Sequence, residues 1–261
     1  MNYWPVAPMS YLRSCMSKTD LNILLTRPLS KSQSLARDIV SLANHIEIQP
    51  LFEYLPTDNA LSLSNAMVPP PHHIIFVSAA AARFAIKQCP VDRWPDSSLY
   101  YAVGPATKTA LAPLGKSIAM GRTYDSEGLL ALPQLANLDG EQVLIIRGDG
   151  GREYLAQTLR QRQANVAYNE VYRRQWLPFN EVQLIEKWRK LKINCMVVTS
   201  EALLDRAVEL VSKVDPLYLQ DIQWIVASER IAAKASEYGL QQVRNAGGAN
   251  NQLIYQAIAT L

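Results

Sequence analysis

The stretch Asn22-Ile-Leu-Leu-Thr-Arg27 decides the fold, because a similar stretch, Gln142-Val-Leu-Ile-Ile-Arg147, follows 120 residues later (147 − 27 = 120). Both are short runs of Leu and β-branched residues that end in Arg. A helical pattern follows each of them, over 32–43 and over 152–163. Short, continuously apolar runs are typical of strands that are buried on both faces of a parallel sheet. The stretch therefore predicts a strand–helix unit that occurs twice.

Two further strand–helix units repeat with nearly the same spacing. The run at 73–78 corresponds to 194–200 (200 − 78 = 122), and the run at 100–104 corresponds to 224–228 (228 − 104 = 124). Apolar residues make up 49% of the chain, which is enough for each half to bury a core of its own. The alternation of strands and helices predicts an α/β protein with two similar doubly wound parallel-sheet domains.

The order of the two domains along the chain is open at this point. The repeat alone suggests consecutive domains that meet near Asp139-Gly140, but it does not exclude a chain that crosses between them. Strong periodicity begins only at Leu21, so we expect residues 1–20 to form a disordered leader. They lack the continuous apolar core of a signal peptide.

The composition excludes several classes of function. The net charge of +3 does not demand nucleic acid as a partner, and no apolar stretch is long enough for a membrane span. Three widely spaced cysteines form neither a metal motif nor a disulfide framework, which indicates a reducing cytoplasm. His72 and His73 follow a triple proline and are expected to be exposed. We expect neither a metal nor another cofactor.

Candidate ligand-binding residues lie where the predicted strands end and helices begin, which is where parallel α/β sheets bind their ligands. Hydroxyl groups and backbone N–H groups before a helix N-terminus favour anions, although the same residues also serve as helix caps. The residues that we expect to bind substrate are Thr26, Arg27, Ser78, Ala79, Gly104, Thr107, Arg147, Gly148, Gly150, Arg152, Thr199 and Ser200.

The glycine-rich stretch 148–151 lacks the spacing of a nucleotide-binding loop and is predicted to be a tight turn before a helix whose first turn contains Arg152 and Glu153. No Gly-x-Ser-x-Gly motif is present to form a nucleophile elbow. An enzyme with this sequence would therefore act on a substrate that is already reactive, by positioning it and transferring one or two protons.

Five motifs together resemble the uroporphyrinogen-III synthase family, from about Asn22 to the C-terminus. They are Ile23-Leu-Leu-Thr-Arg-Pro28, Ile75-Phe-Val-Ser78, Ala102-Val-Gly-Pro-Ala-Thr107 with Ala110-Leu111, Arg147-Gly-Asp-Gly-Gly-Arg-Glu153, and Val171-Tyr172-Arg173. Each motif is weak alone, but their order and spacing are specific to the family.

The resemblance implies a bilobed, cytoplasmic, monomeric enzyme with its cleft between two domains. Residues 21–50 and 175–261 would form the first domain and residues 54–171 the second, joined by a linker of two strands. The enzyme would convert hydroxymethylbilane to uroporphyrinogen III without a cofactor, and it would contact the upstream deaminase transiently. Tyr172 corresponds to the tyrosine that assists departure of the leaving group, and Thr107 and Ser200 correspond to hydroxyls at the cleft.

Two other classes of protein share parts of this pattern. A two-lobed binding protein or sensor for a polyanionic small molecule would have the same paired α/β domains, but it usually carries an export signal or a DNA-binding domain. A glycosyltransferase-like enzyme would need a nucleotide-sugar site and usually has more carboxylates at its strand ends.

Overall fold

A computed structural model describes residues 20–57, 60–151 and 153–261. The chain divides into two compact units: one contains the described residues up to Phe52 together with Leu177–Leu261, and the other contains Glu53–Trp176. Nearly all of the expected leader lies outside the described residues. The hypothesis of consecutive domains is wrong, because Asp139 and Gly140 both lie inside the second unit.

The described residues form eleven strands and ten α-helices, joined in part by short 3-10 helices. The strands are β1 (Asn22–Leu25), β2 (His45–Ile48), β3 (Phe52–Pro56), β4 (His73–Phe76), β5 (Leu99–Ala102), β6 (Ile118–Ala119), β7 (Gln142–Gly148), β8 (Asn165–Trp176), β9 (Cys195–Val198), β10 (Gln223–Val226) and β11 (Val243–Asn245). The helices are α1 (Leu29–Ile39), α2 (Ala60–Asn65), α3 (Ala79–Gln88), α4 (Pro105–Ala110), α5 (Ser126–Leu130), α6 (Tyr154–Gln161), α7 (Glu181–Lys190), α8 (Glu201–Ser212), α9 (Glu229–Glu237) and α10 (Asn251–Ala259). No helix in the described part of the chain is both long enough and apolar enough to cross a bilayer.

The two sheets have the same strand order, and this confirms the repeat. The first unit has the order β11-β10-β9-β1-β2, and the second has the order β6-β5-β4-β7-β8 with β3 added beyond β8. Position by position, the strands correspond as the sequence repeat predicts: β1 matches β7, β9 matches β4, and β10 matches β5. These five-strand arrays are parallel throughout, so the prediction of two similar doubly wound α/β domains is confirmed.

The alternation of side chains along β4 creates two cores in the second unit. Ile74 and Phe76 point to one face of the sheet and pack with the alanine-rich helix α3. Ile75, between them, points to the other face and packs with Leu155 and Leu159 of α6. Because successive residues of a strand face opposite ways, a continuously apolar strand requires helices on both faces.

His73 corrects one expectation, because its side chain is only 3% exposed. It is the first residue of β4 rather than part of the preceding loop, so the sheet covers it. Its Nδ1 lies 2.9 Å from the Tyr101 hydroxyl, and its Nε2 contacts the Glu141 carboxylate. His72 is exposed as expected, and its Nδ1 accepts a hydrogen bond from the Gln142 backbone N–H.

Gly128 provides a test of the packing of the second unit. A Cβ atom at this position would lie 2.2 Å from the Thr123 carbonyl oxygen, which belongs to the backbone and cannot move aside easily. We expect Gly128→Ala to lower the free energy of unfolding by about 3 kcal/mol, as overpacking does. Urea denaturation followed by circular dichroism measures the change. Glu127→Ala, at an exposed neighbouring position of α5, should cost less than about 1 kcal/mol, and equal losses in the two variants would contradict the packing argument.

Candidate active site in the second unit

A cavity of about 370 Å³ lies in the second unit at the carboxyl ends of its central strands. Ser78 follows β4, Val103 follows β5, and the turn at 147–151 ends β7, while Tyr168 and Tyr172 come from β8. Parallel α/β sheets bind ligands at this edge, because helix N-termini and loop N–H groups converge there. The cavity is therefore the candidate site.

The structure brings some of the predicted site residues together and separates others. Five of them line the cavity: Tyr172, Ser78, Arg147, Gly148 and Gly150. Three others belong to the second unit but not to the cavity wall: Ala79, Gly104 and Thr107. Four belong to the first unit: Thr26, Arg27, Thr199 and Ser200. The last predicted residue, Arg152, lies outside the described residues.

Arg147 holds the glycine-rich turn in place. Its side chain is only 5% exposed, and its Nε donates to the carbonyl oxygens of Gly148 and Gly150 at 3.2 and 3.1 Å. Its Nη1 donates to the Glu153 carboxylate at 2.9 Å, and its guanidinium stacks over the Tyr168 ring at 4.6 Å. The Nε donor and one Nη1 donor of Arg147 are thus used within the protein, and Glu153 offsets its charge.

Glu153 and Tyr168 complete this cluster. The Tyr168 hydroxyl donates to Glu153 at 2.5 Å, and this hydrogen bond, together with that from Arg147, lowers the pKa of the Glu153 carboxyl. Glu153 therefore stays ionised and maintains its ion pair with Arg147. The prediction that Glu153 lies in the first turn of the helix is wrong, because α6 begins at Tyr154.

Gly150 and Gly151 shape the turn, because their φ angles of +67° and +129° are conformations that L residues rarely adopt.

Tyr172 is positioned by an irregularity between β7 and β8. The register shifts so that Arg147 pairs with Glu170 but Gly148 pairs with Tyr172, which leaves Val171 as an extra residue, as in a β-bulge. A Cβ atom at Gly148 would lie 2.3 Å from two ring carbons of Tyr172, so only glycine allows the ring to lie against this backbone. The bulge thereby aims the Tyr172 ring at the cavity.

Neighbouring groups fasten the same segment of β8. The Asp149 backbone N–H donates to the Tyr172 carbonyl oxygen at 2.8 Å, and the Asp149 carboxylate accepts from the Arg174 backbone N–H at 3.1 Å. The carbonyl oxygen of Val171, the extra residue, accepts a hydrogen bond of 2.6 Å from the Gln88 side chain. Each side of the bulge therefore has a hydrogen-bonding partner, so the direction of the Tyr172 side chain is well defined.

Tyr54 is a residue of the cavity that was not among the predicted site residues. It lies in β3, and its ring meets that of Tyr172 edge to face, with centroids 4.7 Å apart and planes at 66°. Burial raises the pKa of Tyr54; the neighbouring Tyr172 and Asp149 act in the same direction, and Arg174 opposes them. The only sequence signal for Tyr54 is the repeat, which aligns it with Tyr172 at an offset of 118 (172 − 54).

Two of the predicted residues of the first unit, Thr26 and Arg27, make hydrogen bonds within that unit. Thr26 is fully buried, and its hydroxyl donates to the Val197 carbonyl oxygen at 2.8 Å. Arg27 donates to Asn251 and to the Ala249 carbonyl oxygen at 3.2 and 3.1 Å, and burial lowers its pKa. Both residues therefore have clear structural roles.

Ser78 and Ser200 cap helices, as the simpler interpretation of the sequence predicts. The Ser78 Oγ accepts from the Ala81 N–H at 3.0 Å at the start of α3, and Ser200 caps α8 through the Leu203 N–H at 3.2 Å. A hydroxyl that accepts in this way keeps its own hydrogen for another acceptor. Capping and ligand binding are therefore compatible at Ser78, which also lines the cavity.

Comparisons with known proteins agree on one family. The family model described as "Uroporphyrinogen-III synthase HemD" matches residues 34–252. The chain is 30% identical over 245 residues to uroporphyrinogen-III synthase of Escherichia coli (strain K12), which covers 91% of this chain and 100% of that protein. It is 31% identical over 252 residues to the enzyme of that name from Salmonella typhimurium, with the same coverage.

Solved structures show the same fold. A mutant uroporphyrinogen III synthase from Thermus thermophilus matches with a TM-score of 0.59 at 13% identity, over 92% of this chain and 100% of that one. Uroporphyrinogen-III synthetase from Helicobacter pylori 26695 also matches with a TM-score of 0.59 at 13% identity, over 92% and 99%. At this level of identity the similarity speaks for the fold alone.

The buried hydroxyl of Thr26 separates a structural role from a binding role. Thr26→Val keeps the shape of the side chain but leaves the Val197 carbonyl oxygen without this donor, so we expect a loss of about 1–2 kcal/mol in the free energy of unfolding. Thr109→Val, at an exposed position of α4, should change it by less than about 0.5 kcal/mol. Thermal and urea unfolding of both variants give the comparison. Unchanged stability of Thr26→Val would show that the hydroxyl has no structural role.

Proposed function

The chain belongs to the uroporphyrinogen-III synthase family, and we propose that it converts hydroxymethylbilane to uroporphyrinogen III with loss of water and inversion of ring D. It is thus a cyclising lyase in the synthesis of haem, sirohaem and related tetrapyrroles. The observation that carries this conclusion is the match itself, which extends over residues 34–252 and over the full length of relatives that share 30–31% of their residues with the chain.

We propose that the reacting end of the substrate binds in the cavity of the second unit. A volume of about 370 Å³ is near the lower end of small-molecule sites, which range over about 300–1,000 Å³. It therefore suits one end of a linear tetrapyrrole better than the whole molecule. Because Glu153 offsets the charge of Arg147 and the Asp149 and Gly150 N–H groups already donate to Tyr172 and Glu170, we propose the Ser78 hydroxyl as a donor to the substrate carboxylates.

The chemistry requires one well-placed hydrogen-bond donor. The pyrrole nitrogen of hydroxymethylbilane expels the hydroxyl group, and a donor that protonates the departing oxygen turns it into water. The resulting azafulvene is attacked by the substituted carbon of the terminal ring, which leads to the inverted ring through a spiro intermediate. We propose Tyr172 as the donor, because it lines the cavity and the bulge at Val171 fixes its direction.

We further propose that the enzyme acts as a cytoplasmic monomer without a cofactor. Its substrate would come from an upstream deaminase through transient contact, and neither nucleic acid nor membrane would be a partner. The modest net charge of +3 and the wide spacing of the cysteines support this proposal.

The isomer of the product tests the proposed function directly. Hydroxymethylbilane made freshly by the deaminase closes without catalysis to the symmetric type I isomer, so we expect this protein to direct closure to type III. Oxidation to the porphyrins and chromatographic separation of the isomers give the ratio. Type I alone, both with and without the protein, would refute the function.

Substitution of Tyr172 tests its role as the donor. We expect Tyr172→Phe to lower kcat about ten-fold or more, a rise of about 1.4 kcal/mol in the barrier, because the ring remains and only the hydroxyl is lost. Tyr238→Phe is the matched control, since that hydroxyl donates to Asp205 at 2.8 Å in the first unit. Wild-type kcat in a folded Tyr172→Phe variant would reduce Tyr172 to a packing residue.

A further inference from the structure

We infer that Tyr54 is a second catalytic residue, whose hydroxyl acts beside that of Tyr172 on the departing hydroxyl group of hydroxymethylbilane. The inference rests on the proposed function and extends it from one tyrosine to a pair. Its starting point is that Tyr54 and Tyr172 line the same cavity with their ring centroids 4.7 Å apart.

The fold brings the two tyrosines together from distant parts of the chain. Tyr54 lies on β3 and Tyr172 on β8, which are neighbouring strands in the sheet of the second unit. The rings meet edge to face, a favourable arrangement for two aromatic rings that leaves both anchored. Phe84 contacts the Tyr172 ring as well, with centroids 5.3 Å apart, so apolar packing holds the carbon framework of the pair.

The internal repeat gives Tyr54 and Tyr172 equivalent places in the sequence. Tyr54 lies on β3, just after β2, and Tyr172 lies in the second half of the long strand β8, at an offset of 118 (172 − 54). The repeat therefore places a phenol at both of these positions.

The electrostatic surroundings keep Tyr54 protonated at neutral pH. Burial raises its pKa, and the proximity of Tyr172 raises it further, since two neighbouring phenolates would repel each other. A negative charge on the neighbouring phenol would thus hold Tyr54 in its protonated form. The pair can then transfer one proton while the second hydroxyl still donates a hydrogen bond to the same oxygen.

The proton and electron balance of the step is simple. The carbon–oxygen bond of the hydroxymethyl group breaks with its electron pair on oxygen, while the pyrrole nitrogen supplies the electrons for the new double bond of the azafulvene. A phenol proton from the pair joins the departing oxygen to form water. The phenolate regains a proton from the terminal ring, which loses one when the macrocycle closes, so neither an oxidant nor a reductant is needed.

Phenylalanine substitutions separate this role from packing, because they retain the rings and remove only the hydroxyls. The variants are Tyr54→Phe, Tyr172→Phe and their combination, with Tyr238→Phe as the control, and the measurements are kcat, KM and the isomer ratio with hydroxymethylbilane. We expect Tyr54→Phe alone to lower kcat about three-fold. In the Tyr172→Phe background it should lower kcat about ten-fold or more, because the remaining hydroxyl no longer has a substitute.

The outcomes distinguish the inference from the function on which it rests. If Tyr54→Phe leaves kcat unchanged in both backgrounds while the wild type makes type III, Tyr54 only packs and the inference is overturned. If the wild type makes type I alone, the proposed function itself fails. A larger loss in the double variant than the product of the two single losses supports the pair.

A second variant keeps the test valid if the double phenylalanine variant does not fold. Replacement of Tyr54 by 3-fluorotyrosine in the Tyr172→Phe protein retains the shape and lowers the pKa of the phenol. We expect the alkaline limb of the kcat profile to move to lower pH, because the donor is lost earlier as the pH rises. An alkaline limb at the same pH as that of Tyr172→Phe alone would overturn the inference.

Discussion

The geometry of the candidate site depends on the close contact between the Gly148 backbone and the Tyr172 ring. A side chain at Gly148 would occupy the position of the ring, with its Cβ 2.3 Å from two ring carbons. The register shift beside it lets the Asp149 N–H reach the Tyr172 carbonyl oxygen at 2.8 Å. The turn after β7 and the tyrosine on β8 are therefore fixed by the same few atoms, and movement of either one would disturb both the cavity wall and the proposed donor.

The parallel sheet explains why these atoms meet at this edge. Strands that are buried on both faces carry few polar side chains within the sheet, so hydroxyls, glycines and arginines concentrate where the strands end. In the second unit, these ends supply Ser78, Arg147 and the turn up to Gly151. In the first unit, the equivalent end carries Thr26 and Arg27, whose donors bind Val197, Asn251 and Ala249 instead. The repeat thus preserves a buried arginine at this place in both units, but its hydrogen-bonding partners differ.

The sequence predicted two similar parallel α/β units because the same strand–helix pattern occurs twice along the chain. It could not predict which strand-end residues are exposed, since burial of Thr26 or His73 depends on neighbours that are distant in the chain. The bulge at Val171 could not be predicted from the sequence either. An extra residue in a strand changes no sequence pattern when both of its neighbours, Glu170 and Tyr172, fit a regular strand. The offset of Tyr54 from Tyr172 was a sequence signal, but a tyrosine in a β-strand is commonly a packing residue. Only the distance between the two rings in the structure identifies them as a pair.

The contacts of Arg147 bear on how a polyanionic substrate would be recognised. An arginine in a cavity invites the interpretation that it binds a carboxylate, yet here Glu153 accepts its Nη1 hydrogen bond and two backbone carbonyls accept from its Nε. A substrate carboxylate that bound the Arg147 guanidinium would either displace the Glu153 carboxylate or lie beside it. Displacement breaks an existing hydrogen bond and proximity brings two negative charges together, so both weaken binding. Two backbone N–H groups of the turn are engaged as well, since that of Asp149 donates to the Tyr172 carbonyl oxygen and that of Gly150 to the Glu170 carboxylate. Arg147 therefore serves substrate binding best indirectly, by holding the turn that forms part of the cavity wall.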